Sequence, residues 1–216
     1  MTKIKPIHAN TLQPFAITEA AKHLFGGKNA CQMVRRGVHG DGSCFFHCIC
    51  YALDIKGYRT QSKHEQVRTC EELRWALFGN VQQQMWAAFL AKRNFSIPKW
   101  LLPLLKRKIP TKTDMLIMAE NLCKQSVWAD EAMIVFTSKK LNINAMFFDT
   151  QLNKLYCGVN GSPNQRTILI LWVNKSHFEL LCKSSTGNDP QCVFDPVKDR
   201  EFIARIFKGY ISQCKL

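Results

Sequence analysis

Apolar residues recur at helical spacing over residues 44–53, at Phe46, Ile49, Cys50 and Leu53, and this spacing predicts a buried helix. A second helical pattern covers 70–91 through Leu73, Leu77, Val81, Met85 and Phe89. The polar stretch 60–70 between them reads as loop. Residues 1–30 read as a helical lead-in, with its helix at 17–25 closed by Gly26-Gly27, and 113–122 as a short helix. Asp130 is placed to cap a helix ending at Lys140. Beyond that point branched and aromatic residues dominate. They predict strands at 143–149, 167–173 and 177–182, a weaker one at 152–157, and a short one at Val193-Phe194. Turns are expected at 158–163 and 184–190. Asp195-Pro196 combines an N-cap residue with proline at the first helical position. Phe202, Ile203, Ile206, Phe207 and Tyr210 then make one stripe on a closing helix of about 198–211. Helices first and strands late predict an α+β fold with a central sheet. The expected organisation is an N-terminal helical extension over 1–30 and one domain over 31–216.

Composition narrows this further. The chain has 216 residues, 46% hydrophobic and 11% aromatic, which suits a packed globule and excludes a disordered chain. The longest aliphatic and aromatic run, 168–173, is far short of the ~18 residues that a membrane span needs. The first residues, Met1 to Pro6, carry no apolar signal core, so secretion is not expected. The ten cysteines are accordingly expected as reduced thiols in the cytoplasm or nucleus. A net charge of +14 calls for an explanation. The densest basic stretch is 92–112, with Lys99, Lys106, Arg107 and Lys108 broken by Pro98, Pro103 and Pro110. It is a candidate for weak contact with nucleic acid or an acidic surface, beside the plainer reading of a solvated loop anchored by Trp100 and its leucines.

Two segments carry candidate chemistry. Asp41-Gly42 is a turn signal and Ser43 a good N-cap, so Cys44 falls in the first turn of the predicted helix. Free amides and the positive end of the macrodipole favour a thiolate there. The backbone amides of Asp41, Gly42, Ser43 and Cys44 lie where an oxyanion would form if that thiolate attacked a carbonyl. The ordinary alternative is a buried structural cysteine. Far downstream, His177 opens a strand after the turn Asn174-Lys175-Ser176. Alternation puts His177, Glu179 and Leu181 on one face and Phe178 and Leu180 on the other. A His and a carboxylate in that relation suit an oriented base, although a solvated strand face has the same pattern.

Together these segments resemble the ovarian-tumour (OTU) family of cysteine proteases, most of which are deubiquitinases. Asp41-Gly42-Ser43-Cys44-Phe45-Phe46 is similar to that family's first motif, and His177-Phe178-Glu179 to its second. Leu73-Arg74 matches a Leu-Arg pair that opens a helix. Trp128-Ala129-Asp130-Glu131, continuing to Phe148, matches a Trp before a helix-then-strand unit. The likeness covers residues 35–182. His47 stands where the family usually carries Arg, and Glu179 where Asp or Asn is usual. The resemblance implies an OTU-like cysteine-peptidase fold with a central, mostly antiparallel sheet packed between helical layers. It implies a ubiquitin-specific peptidase acting after the C-terminal glycine of ubiquitin or a ubiquitin-like modifier, in the cytoplasm or nucleus, or in a host cytoplasm if virus-encoded. Cys44 would be the nucleophile and His177 the base, with Asp41 or Glu179 orienting it. Trp172 and Phe178 are candidate walls of a channel for the two glycines of ubiquitin's tail. Because ubiquitin's recognition face and tail are basic, either acids such as Asp130, Glu131 and Glu179 cluster at the groove or the net positive charge serves another partner. No cofactor or metal is implied.

Other chemistries fit less well. Cys44, Cys48 and Cys50 with His47 lack the paired spacing of a structural zinc site. A papain-type peptidase would fit the Cys-to-His separation, which falls in the window of about 130–150 residues. However, the nearest upstream glutamine is Gln32, and no Asn-Ser-Trp follows the histidine. The non-enzyme alternative is an inactive OTU-like module that binds ubiquitin or nucleic acid through its basic surface.

Overall fold

A computed structural model of the chain describes residues 4–16, 22–25, 33–90, 120–124, 126–129, 131–157, 161–184 and 189–214. The basic 92–112 segment, Asp130 and most of the expected 113–122 helix lie outside them. The chain divides into two compact units, residues 1–40 with 141–216 and residues 41–140.

The first unit holds the sheet. Its strands are β1 (Leu12–Pro14), β2 (Met33–Arg36), β3 (Ile143–Asp149), β4 (Lys154–Cys157), β5 (Arg166–Val173), β6 (His177–Lys183) and β7 (Val193–Phe194). They run in the order β1-β2-β6-β5-β3-β4, with β7 beside β5. Every pairing is antiparallel except β3 with β5, which bring Phe147 opposite Ile170. All seven residues of β3 are buried, and its middle, Ala145 to Phe148, reads as an apolar run and not as an alternation.

β1 and β2 are not predicted by the sequence pattern. Met33-Val34-Arg35-Arg36 is short and half charged. It becomes a strand because β6 pairs with it, Val34 opposite Cys182 and Arg35 opposite Leu181. β1 falls inside the stretch expected to be a helical lead-in, where the described helix, α1, is only Lys22–Phe25.

One face of the sheet gives Met146, Phe148, Leu169, Leu171, Val173 and Leu181 to a core shared with Phe15, Leu24 and Phe25. Ile203, Ile206 and Phe207 of the last helix, Arg200–Cys214, complete it, with Phe202 and Tyr210 packed at its margin. The predicted apolar stripe is therefore the face that this helix buries. Phe15, Phe25 and Phe148 meet edge-to-face with ring centres 5.3–6.2 Å apart, and each such pair contributes about 0.5–1.5 kcal/mol beyond its buried area. Asp195 does not cap the helix directly. Its Oδ1 accepts the amides of Val197 and Lys198 in a preceding turn, and these bonds hold its carboxyl below the usual range.

The cysteines need one correction. Cys182 and Cys192 are joined by a disulfide, so the thiols are not all reduced. Cys44, Cys48, Cys50, Cys70 and Cys123 are buried and form no disulfide.

The second unit is helical. It comprises α2 (Cys44–Leu53), a 3-10 stretch (Ile55–Thr60), α3 (Lys63–Leu90) and α4 (Glu131–Leu141). The last helix of the chain, Arg200–Cys214, is thus α5. α3 starts within the stretch read as loop. Ser62 Oγ accepts the Glu65 amide and the Glu65 carboxylate accepts the Ser62 amide, a reciprocal capping box. The first turns of α3 are polar even where they are buried, at Gln66 and Thr69, so apolar periodicity misses them. Phe46 of α2 packs on Phe78 of α3, and Phe78 on Phe136 of α4. No helix among the described residues is long and apolar enough to cross a membrane.

Candidate active site

The cysteine half lies in the helical unit. Cys44 is the first residue of α2 and is buried. The turn before it is fixed at three points. Gly42 has φ of +91°, and a Cβ there would come 2.7 Å from the carbonyl of Ser126. Both the left-handed backbone and the backbone contact require glycine. Asp41 Oδ1 accepts the Ser43 amide at 2.9 Å, closing the turn on itself. Ser43 makes no side-chain cap of α2, contrary to its expected role. Its Oγ instead accepts a hydrogen bond from Arg74 Nη1 at 3.1 Å.

Arg74 is fully buried in the interior of α3, and so does not open a helix as the Leu-Arg match implied. It also donates to the carbonyls of Val127 and Leu122, at 2.9 and 3.4 Å, and lies 4.7 Å over the Phe46 ring. Burial pulls its pKa down to about 10. The guanidinium thus joins Ser43 of the cysteine turn, Phe46 of α2 and the carbonyls of Leu122 and Val127.

His47, one turn into α2, is completely buried. Its Nε2 lies 2.9 Å from Asp41 Oδ2. Its Nδ1 is bonded to the Tyr58 hydroxyl and lies 3.1 Å from Cys70 Sγ. Burial pushes the Tyr58 phenol and the Cys70 thiol well above their usual values, so both keep their protons.

The histidine half lies in the sheet unit. Val173 O accepts the Ser176 amide at 3.1 Å, and Asn174 and Lys175 both have positive φ, as a tight turn twisted to suit a hairpin requires. His177 is the first residue of β6, opposite Val173, and partly buried. A methyl added to Gly40 would lie 3.7 Å from His177 Cε1, in ordinary contact, so the chain passes close by the imidazole edge. A hollow of about 390 Å³ opens beside the ring, lined by Pro6 to Ala9, Val38, His39 and Gly40.

Glu179 shares the His177 face of β6, as the alternation predicts, but is fully buried. It therefore cannot furnish a solvent-facing acidic groove, and Asp130 and the Glu131 side chain lie outside the described residues. Glu179 Oε2 accepts Arg35 Nε at 2.9 Å and Nη2 at 2.7 Å. Oε1 accepts the Ile7 amide at 2.9 Å. Burial raises the Glu179 carboxyl above its usual value despite the opposing pull of Ile7 and Arg35. Arg35 Nη2 also donates to Lys5 O, and Asn174 Nδ2 to Ile4 O. The N-terminal segment is thus fastened to the strands that carry His177. Trp172 and Phe178 face each other across β5 and β6 with rings 6.3 Å apart, and Phe178 also packs on Phe147.

Arg35, the partner of Glu179, is the functional neighbour that sequence reasoning missed. The available signal was Met33 and Arg35 on one strand face, an apolar and a charged residue that must be buried together. No group of three or more His, Cys, Asp and Glu residues that could hold a metal occurs among the described residues.

No sequence-based family model matches the chain, and no curated protein matches it by sequence. Solved structures do. An ovarian-tumour (OTU) domain in complex with ubiquitin superposes with a TM-score of 0.52 at 18% identity, over 94% of this chain and 98% of that one. The Hazara virus OTU bound to ubiquitin gives 0.41 at 18% identity, over 72% of this chain and 82% of its own. An OTU deubiquitinase from Wolbachia pipientis wMel gives 0.42 at 17% identity, over 71% and 92%. The chain has the α+β architecture of an open, mixed sheet with accompanying helices. Specifically, it has the OTU-domain fold, over nearly its whole length.

Proposed function

We propose that the chain is a deubiquitinase that hydrolyses the isopeptide or peptide bond after the C-terminal glycine of ubiquitin or a ubiquitin-like modifier. The observation that carries this reading is local. Gly40 lies against the His177 ring, and only four residues later Cys44 begins a helix. Cys44 attacks the glycine carbonyl as a thiolate, and His177 takes the thiol proton and passes it to the departing lysine amine. The resulting thioester is cleaved by water, with His177 again as base. Of the four candidate amides, Ser43's is already donated to Asp41 Oδ1, which leaves those of Asp41, Gly42 and Cys44 to receive the oxyanion. Asp41 and Glu179, the two candidates for orienting His177, are each held by other named partners, and we give them supporting roles. Trp172 and Phe178 are the proposed walls of the diglycine channel.

The test is incubation with ubiquitin carrying a thiol-reactive C-terminal group. The parent chain should form a covalent adduct that Cys44→Ala abolishes and His177→Ala slows at least about 100-fold. No adduct from well-folded protein would overturn the proposal in favour of a non-catalytic ubiquitin-binding module.

A further inference from the structure

We propose that His47 is a positioning residue that holds the Asp41–Cys44 turn in its working geometry without touching substrate. This rests on the reading of Cys44 as the nucleophile and of its turn as the oxyanion site. A histidine with no exposed surface needs partners on both ring nitrogens. At Nε2 it meets the Asp41 carboxylate, which can only accept, so the ring proton is assigned to Nε2. The Nδ1 lone pair is then left for the Tyr58 hydroxyl, while the neighbouring Cys70 thiol donates to Cys50 Sγ. Asp41 is then a strut with two anchored ends. One oxygen grips the Ser43 amide and the other is held by a rigid ring on the helix that Cys44 starts.

Gly42 has no side chain to anchor the turn, and Ser43 is held through Oγ by Arg74. Losing the His47 contact removes the anchor of Oδ2 and loosens the grip of this 26%-exposed carboxylate on the Ser43 amide. Catalytic groups need placement within about 0.5 Å, so a loosened turn lowers the rate of chemistry before it lowers binding.

The experiment compares His47→Leu, His47→Gln and Tyr58→Phe with the parent by site-resolved amide exchange, hydrolysis of a fluorogenic ubiquitin C-terminal amide, and alkylation of Cys44 by iodoacetamide. His47→Leu should speed Ser43 amide exchange about 10-fold or more with the interior amides of α2 unchanged. It should lower kcat about 10- to 100-fold, the scale of a weakened oxyanion donor, with KM within about 3-fold. Alkylation, which needs no oxyanion site, should stay within about 3-fold of the parent. His47→Gln, whose amide can still donate to Asp41, should recover most of kcat. Tyr58→Phe should show a smaller rise in the same exchange, and these two variants carry the test if His47→Leu does not fold. Unchanged Ser43 exchange in the folded variants would overturn the proposal. So would equal losses of kcat, alkylation and thermal stability in His47→Leu and His47→Gln, the pattern of a merely structural residue. The exchange measurement needs no substrate, so an inactive parent would sink the proposed function while His47's hold on the turn is still decided.

Discussion

Replacing Glu179 by alanine separates a fastening role from a catalytic one. The carboxylate has no exposed surface and accepts three hydrogen bonds, two from Arg35 and one from the Ile7 amide. Removing it leaves the Arg35 guanidinium, itself buried, without this partner. Breaking a buried ion pair from one side costs about 3–5 kcal/mol. For a chain of this size each kcal/mol moves the melting temperature by about 2–4 °C, so Glu179→Ala should melt about 6–20 °C lower. Scanning calorimetry reads this directly. The double variant Arg35→Met/Glu179→Met, which replaces the pair by apolar groups of similar volume, should recover most of the loss. Burial raises the Glu179 carboxyl in the folded state, so the folded chain binds that proton more tightly than the unfolded one. Its contribution to stability is therefore fully present below the usual carboxylate pKa and is lost as pH rises through the raised value. That segment of the pH–stability curve should flatten in Glu179→Gln. The reasoning is refuted if Glu179→Ala stays within about 1 kcal/mol of the parent in stability while hydrolysis falls 100-fold or more. Glu179 would then be the partner that orients His177.

Three further outcomes are expected. Gly42→Ala must place a Cβ against the Ser126 backbone at a positive φ, so it should abolish adduct formation with the ubiquitin electrophile while leaving helical circular dichroism intact. Arg74→Met leaves the carbonyls of Leu122 and Val127 without a charged donor and should lower unfolding free energy by about 3 kcal/mol in a urea titration. Reducing the Cys182–Cys192 bond, or replacing both residues by serine, opens a loop with a sequence separation of 10 and should cost about 2–3 kcal/mol, read as a lower denaturant midpoint.

What the sequence reveals depends on where each residue finds its partner. β3, β5, β6 and β7 are legible because their burial is written in consecutive branched and aromatic residues. The Cys44 turn is legible too, since Asp41, Gly42 and Ser43 are neighbours in the chain. β2 is not, because Arg35 and Arg36 look like surface until β6 pairs with them and Glu179 receives Arg35 from 144 positions away. α3 starts early for a different reason. Its cap, Ser62 with Glu65, was in plain view, but an apolar-period criterion passes over polar turns. Strand alternation puts Glu179 on the face of β6 that carries His177, yet its commitment to Arg35 and Ile7 is a property of three segments meeting and of no single one.

The strand order also sets a timetable. β2 takes its place between β1 and β6, and nearly the whole helical unit is encoded between β2 and β6. At a synthesis rate of about 5–20 residues per second, β2 leaves the ribosome roughly 7–30 s before the strand it must join. Bringing these ends together costs about 4 kcal/mol in chain-closure entropy, with no β2 ladder bond to β6 until it is done. The helical unit, being continuous in sequence, needs no such wait. A growing chain would therefore hold α2, with Cys44, well before the strand that carries His177, and if the proposed chemistry is right a ribosome-bound fragment ending before His177 should form no adduct with the ubiquitin electrophile.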